Sequence, residues 1–146
     1  MKNLPTVAVV DANVILKAVI IEPYSREVID MLRQLGIGIE LHAPLFLKVE
    51  CSNVLWKQVR AGYPLPHAVQ DIHSLAKLAI QYTATEPLLG LAFEMACQYD
   101  ITVYDALYLA LAATMQLPVI TGDRPAARKA AGSPYEIITL SDLFTP

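Results

Sequence analysis

The stretch TVAVVD, residues 6–11, decides how the rest of the chain is read. It is a short, β-branched, continuously apolar run that ends in an aspartate. A run without apolar–polar alternation marks a strand buried on both faces, as in a parallel sheet. The strand is expected over 6–10, and it places Asp11 at its carboxyl end.

Working outward, the pattern alternates. A helix is expected over 25–35, with Ser25 as cap and Gly36 as stop, and a second strand over 37–43. Pro44 opens a helix that runs to Arg60, before Gly62. Further helices are expected over 66–80 and 87–98, with a weak strand at 82–85 between them. Asp105 starts the very apolar helix ALYLALAATM, and Asp100 reads as a loop residue. A fourth strand is expected over 118–121, a short helix over 125–131, a fifth strand over 136–139, and a turn from Ser141. Strands alternating with helices require right-handed crossovers and a parallel sheet covered on both faces. Ligands bind such sheets beyond the carboxyl ends of the strands, where the strand order switches. Asp11 therefore stands where chemistry is expected.

The chain has 146 residues, which suits one domain spanning 1–146. Hydrophobic residues make up 55% and charged residues 17%, against about 25% charged in an ordinary soluble domain. Two readings fit: a compact α/β fold with covered central elements, or such a fold with an apolar surface hidden by a partner. No membrane span is expected. A spanning helix needs roughly 20 apolar residues, and Lys17 interrupts the early run over 14–21. Pro5 and Asp11 cut the amino-terminal apolar run too short for a secretory signal. Cys51 and Cys97 lack metal-type spacing and read as buried free thiols of a reducing cytoplasm. The net charge of −3 argues against binding nucleic acid through a broad basic face. It leaves a nuclease open, because metal-holding carboxylates count as negative charge. His42, His67 and His73 form no pattern.

Four carboxylates sit at element ends. Asp11 lies in D-A-N and can serve merely as a helix cap. Glu50 lies early in the helix after strand two, with Asn53 on the same face; a solvated surface glutamate is its ordinary alternative. Asp105 opens a helix apolar on every side, where the helix dipole favours a carboxylate, although capping by Asp105, Thr102 or Asp100 also fits. Asp123 follows strand four in T-G-D, a common turn. A parallel sheet can bring all four to one edge, where like charges repel. Arg124 is the one adjacent cation, so a divalent metal is the natural counter-charge. Oxygen-only ligands suit Mg2+ or Mn2+ rather than zinc.

The segments VVDAN, ECSNVLW, YDALYLALA and VITGDR, in this order, resemble the PIN domain and, more narrowly, the VapC toxins of prokaryotic toxin–antitoxin pairs. YDA with its apolar helix is the most specific part, and the resemblance covers essentially the whole chain. It implies a three-layer α/β/α sandwich with a five-stranded parallel sheet and Mg2+- or Mn2+-dependent cleavage of RNA. Carried over, Asp11, Glu50, Asp105 and Asp123 become the catalytic, metal-holding quartet, with Asn13 and Thr121 as polar supports. The resemblance also implies a homodimer and an antitoxin partner. For the stretch Val54, Leu55 and Trp56 with Tyr63, Pro64 and Leu65, an antitoxin groove competes with the plainer reading of Trp56 as core.

Two other functional classes compete with this reading. An Asp-phosphate phosphotransfer or phosphatase domain wants a second acid two residues after Asp11, or paired acids in the first loop with a lysine after the last strand. Asn13, and the lack of a lysine after strand five, fit neither. A catalytically inactive PIN-fold binding module has no need to keep all four acids.

Overall fold

The computed structural model describes residues 3–122 and 125–145. In chain order the elements are β1 (Val7–Val10), α1 (Ala12–Ile15) continuing into a 3₁₀ turn (Leu16–Ala18), α2 (Ser25–Leu32), β2 (Glu40–Pro44), α3 (Leu47–Arg60) and α4 (Leu65–Ala76). There follow β3 (Gln81–Thr83), a 3₁₀ turn (Glu86–Leu88), α5 (Leu89–Tyr99), α6 (Val103–Met115), β4 (Val119–Thr121), α7 (Pro125–Lys129), β5 (Ile137–Thr139) and α8 (Leu140–Phe144). The five strands form one sheet in the order β3-β2-β1-β4-β5. Every pairing is parallel, with Val9 opposite both His42 and Val119. The expected α/β architecture with a five-stranded parallel sheet is what the chain forms.

β1 lies at the centre. Ala8, Val9 and Val10 are all fully buried, and successive strand residues point to opposite faces, so both faces are covered. This explains why the strand reads as continuous rather than alternating. α6 packs against β1, β2 and β4 and lies beside α5. All seven of its residues from Ala106 to Ala112 are buried. Alanines at 106, 110 and 112 let the helix axis approach the sheet and its neighbour closely. α5 and α6 both end in left-handed residues, Asp100 at φ 54° and Gln116 at φ 55°. Asp100, read as a loop residue, is thus the cap that turns α5 into α6.

Several boundaries differ from expectation. β2 starts at Glu40 instead of Ile37, because Gly36 adopts φ 77° and a tight turn leaves Ile37 89% exposed. Pro44 ends β2 rather than opening α3; its fixed φ suits the strand end, and α3 begins at Leu47. Ser25 is the first residue of α2 rather than its cap. Its hydroxyl donates to the Ile20 carbonyl and accepts from the Glu22 amide, stitching the preceding loop. The turn after Ser141 is the helix α8, held by a capping box between Thr139 and Asp142. Cys51 is buried as expected, but Cys97, on α5, is exposed. Trp56 is 52% exposed, with the Arg60 guanidinium 5.0 Å from its ring centre, so the core reading fails for it. Leu55 beside it is fully buried. Among the described residues, no helix is long and apolar enough to cross a membrane.

Replacing Ala110, which is fully buried in α6, by leucine overfills the contact with the sheet. Urea titration should show a loss of about 1–3 kcal/mol of stability.

Candidate active site

From β1 the chain proceeds to β2 and β3 on one side, then crosses back to β4 and β5 on the other. The switch point lies between the carboxyl ends of β1 and β4, where the crossovers diverge and leave a crevice. Asp11 and Thr121 face each other there. The Asp11 amide donates to the Ile120 carbonyl at 3.0 Å. The Thr121 hydroxyl donates to Asp11 Oδ2 at 2.9 Å. Both residues are nearly inaccessible, at 6% and 5% exposure. Asp11 occupies the N-cap position of α1 with an extended backbone, yet its side chain makes no capping hydrogen bond to the helix. The capping explanation of this aspartate therefore fails, and the carboxylate faces the crevice.

Gly122, directly after β4, is fixed to the same corner. The Gly122 amide donates to Asn13 Oδ1 at 3.2 Å. A Cβ at Gly122 would stand 2.5 Å from Asn13 Nδ2, so any other residue there displaces the Asn13 amide. Asn13 and Thr121 thus both brace the β1–β4 crevice. Asp123, the last of the four expected acids, lies outside the described residues, as does Arg124.

Asp105 is the third residue of α6, not its first. Thr102 caps the helix by accepting from the Asp105 amide at 3.1 Å. This leaves the Asp105 carboxylate in the first turn, on the favourable side of the helix dipole. It lines a small cleft together with Asp11, Tyr108 and Thr121. Glu50, in the first turn of α3, enters from the other side: the Tyr108 hydroxyl donates to Glu50 Oε1 at 2.6 Å. Tyr108, which lines the cleft and reaches Glu50, ties the third acid to the other two.

Two neighbouring groups register the field of these acids. Burial pushes the Cys51 thiol up to about 12, with the charges of Glu50 and Asp11 adding to it. Burial, then the charges of Asp11 and Glu50, holds the Tyr108 phenol far above its ordinary range. Tyr108 accordingly remains a donor to Glu50 across the physiological pH range. Both groups sense Asp11 and Glu50 together, which places the two carboxylates in one electrostatic neighbourhood. Among the described residues, no three of the His, Cys, Asp and Glu side chains are grouped closely enough to hold a metal ion. The histidines stand apart from the cleft: His42 pairs with Glu40 in β2, and His67 and His73 lie exposed on α4.

Tyr108 was not among the residues expected from sequence. A signal was present, because it lies three residues after Asp105 and hence on the same helical face. It is also the one phenol in the apolar run 106–113 that follows Asp105, and a buried phenol needs a partner. The partner, 58 residues away in sequence, is what the sequence alone does not reveal.

A PIN domain family model matches residues 8–132. Ribonuclease VapC3 of Pyrobaculum aerophilum is 30% identical over 125 residues, covering 83% of this chain and 92% of that protein. In three dimensions the chain resembles PAE2754 from Pyrobaculum aerophilum, with a TM-score of 0.68 at 21% identity over 89% of this chain and 81% of that one. It also resembles a toxin–antitoxin complex from Klebsiella pneumoniae, with a TM-score of 0.62 at 18% identity over 90% and 96%. At these identities the two structures speak for the fold.

Two measurements check the site. Thr121→Val removes a hydrogen bond to a buried charge and should cost about 1.5–3 kcal/mol in urea unfolding, with Thr121→Ser retaining most of it. At pH 8 an aromatic disulfide reagent should titrate Cys97 in the folded protein and reach Cys51 only on unfolding. Raising the pKa of an acid favours its neutral form, and the thiolate is the reactive species.

Proposed function

The chain belongs to the PIN domain family, and on that premise we propose that it is a metal-dependent endoribonuclease that hydrolyses RNA phosphodiester bonds, the toxin of a VapBC-type pair. The observation that carries this reading is the buried Asp11 at the switch point, sharing a cleft with Asp105 and, through Tyr108, adjoining Glu50. The ribonuclease relative, which matches most of the chain, supports the same chemistry.

The donor set fits a hard divalent cation. Asp11, Glu50, Asp105 and Asp123 offer oxygen alone, and no histidine lines the cleft beside Asp11 and Asp105. That chemistry selects Mg2+ or Mn2+. Carboxylates brought near one another repel until a cation screens them. When bound, the ion supplies Lewis acidity and an activated water for attack on phosphorus. The chain's own residues do the positioning. Thr121 orients Asp11 by donating to one carboxylate oxygen. Tyr108 orients Glu50 and, staying protonated, adds no further negative charge. Thr102 and the first turn of α6 hold Asp105 at the rim. Asn13 holds the Gly122 amide, one residue before Asp123. The products carry 5′-phosphate and 3′-hydroxyl ends.

The partners proposed are an RNA substrate, an antitoxin and a second copy of the chain, all in the cytoplasm. Trp56, Leu65 and Val69 are exposed apolar side chains on α3 and α4, and they offer a surface for an antitoxin segment. Labelled RNA incubated with purified protein and Mn2+ tests the activity. Cleavage should stop in EDTA, and Asp11→Asn should lower it by more than about a hundredfold, beyond the usual effect of an outer-shell change. Calorimetry should register Mn2+ binding to the wild type. Cleavage that survives EDTA or Asp11→Asn overturns the reading, and a protein that binds no Mn2+ and cuts nothing is a scaffold.

A further inference from the structure

An acidic chain that acts on RNA needs a source of affinity other than a broad basic face. Phe46 and Tyr104 offer one. Their rings are stacked nearly parallel, at 7° with centroids 5.2 Å apart. Tyr104 is 60% exposed although Phe46 covers one side of it, so most of the rest of the ring is open to solvent. Large aromatic rings are ordinarily buried; this one is both open and held.

The position of the pair is set by the two helices that carry the site. Phe46 caps α3 and lies four residues before Glu50; Tyr104 lies in α6, four residues before Tyr108. Residues four apart stack along one helical face about one turn from each other. The Phe46–Tyr104 stack and the Glu50–Tyr108 hydrogen bond are therefore successive rungs between α3 and α6, the aromatic rung being the outer one. Tyr104 also directly precedes Asp105, which lines the cleft. The Phe46 main chain is held as well: its amide donates to the Thr85 hydroxyl at 2.9 Å. Stacking on Phe46 positions the Tyr104 ring before any ligand arrives, which lowers the entropy lost on binding.

We propose that the Tyr104 ring, backed by Phe46, is a stacking platform for an unpaired base of the RNA substrate, one helical turn outside the carboxylate cleft. The proposal rests on the ribonuclease reading and names how that site takes hold of its substrate. Every base has a π-face, so stacking is tolerant of sequence and demands an unstacked strand. The platform thereby favours single-stranded or looped RNA over a continuous duplex, and it supplies affinity without cationic side chains.

Fluorescence anisotropy in EDTA, with a labelled single-stranded RNA oligonucleotide and the same sequence annealed to its complement, tests the platform without turnover. Tyr104→Ala should weaken single-strand binding roughly ten-fold and leave duplex binding unchanged, and Tyr104→Trp should restore it. In Mn2+, Tyr104→Ala should raise KM with little change in kcat. Equal single-strand affinity in wild type and Tyr104→Ala overturns the proposal, as does an equal loss on single strand and duplex. Loss of self-association in Tyr104→Ala with unchanged RNA affinity assigns the ring to a protein contact and likewise overturns it. Failure of the wild type to cleave any RNA in Mn2+ overturns the ribonuclease reading instead, and anisotropy tells the two failures apart.

Discussion

The meeting of β1 and β4 at their carboxyl ends is the constraint on which the rest depends. Because the chain crosses back over β1 to build β4, two strands distant in sequence leave the sheet side by side. The backbone bond from Asp11 to Ile120 and the side-chain bond from Thr121 to Asp11 close that junction. A charged carboxylate is costly to bury unless it is hydrogen-bonded. The Thr121 hydroxyl meets part of that demand while leaving the group turned toward the crevice. The sheet thus stabilises an arrangement that a folding requirement alone would not select.

Around this junction, α3 and α6 bring the other acids in. α6 is alanine-rich where it crosses the sheet and so lies close to it. That closeness lets Tyr108 reach Glu50 across the interhelical gap, and it holds Asp105 over the end of β1. The same small residues that allow packing therefore also determine the spacing of the site. Burial keeps Tyr108 neutral and Cys51 as a thiol, so the negative charge of the region resides on the carboxylates.

Much of this was legible in the sequence because the relevant signals are local. The continuous apolar run at 6–10 announces a doubly covered strand, and Asp11 follows it directly. The apolar helix after Asp105 announces burial by its composition. What stayed hidden depends on tertiary context. Whether Asp11 caps α1 or turns into the crevice is decided by Thr121, 110 residues away. Whether Trp56 is core depends on which side of α3 meets the sheet, and its neighbour Leu55 takes the buried place. Pro44 reads as a helix opener, and pairing with β3 makes it the end of a strand instead. Gly122 shows why a local motif can mislead: in T-G-D it reads as a turn residue, yet its role is to admit Asn13.

The sheet's outer strands, β3 and β5, are three residues each. Edges expose unpaired amide and carbonyl groups that can template strand addition by another molecule, and a very short edge limits that hazard. A chain with mean hydropathy of +0.42 carries an evident aggregation liability. With both margins of its sheet this short, it offers little edge for cross-β association.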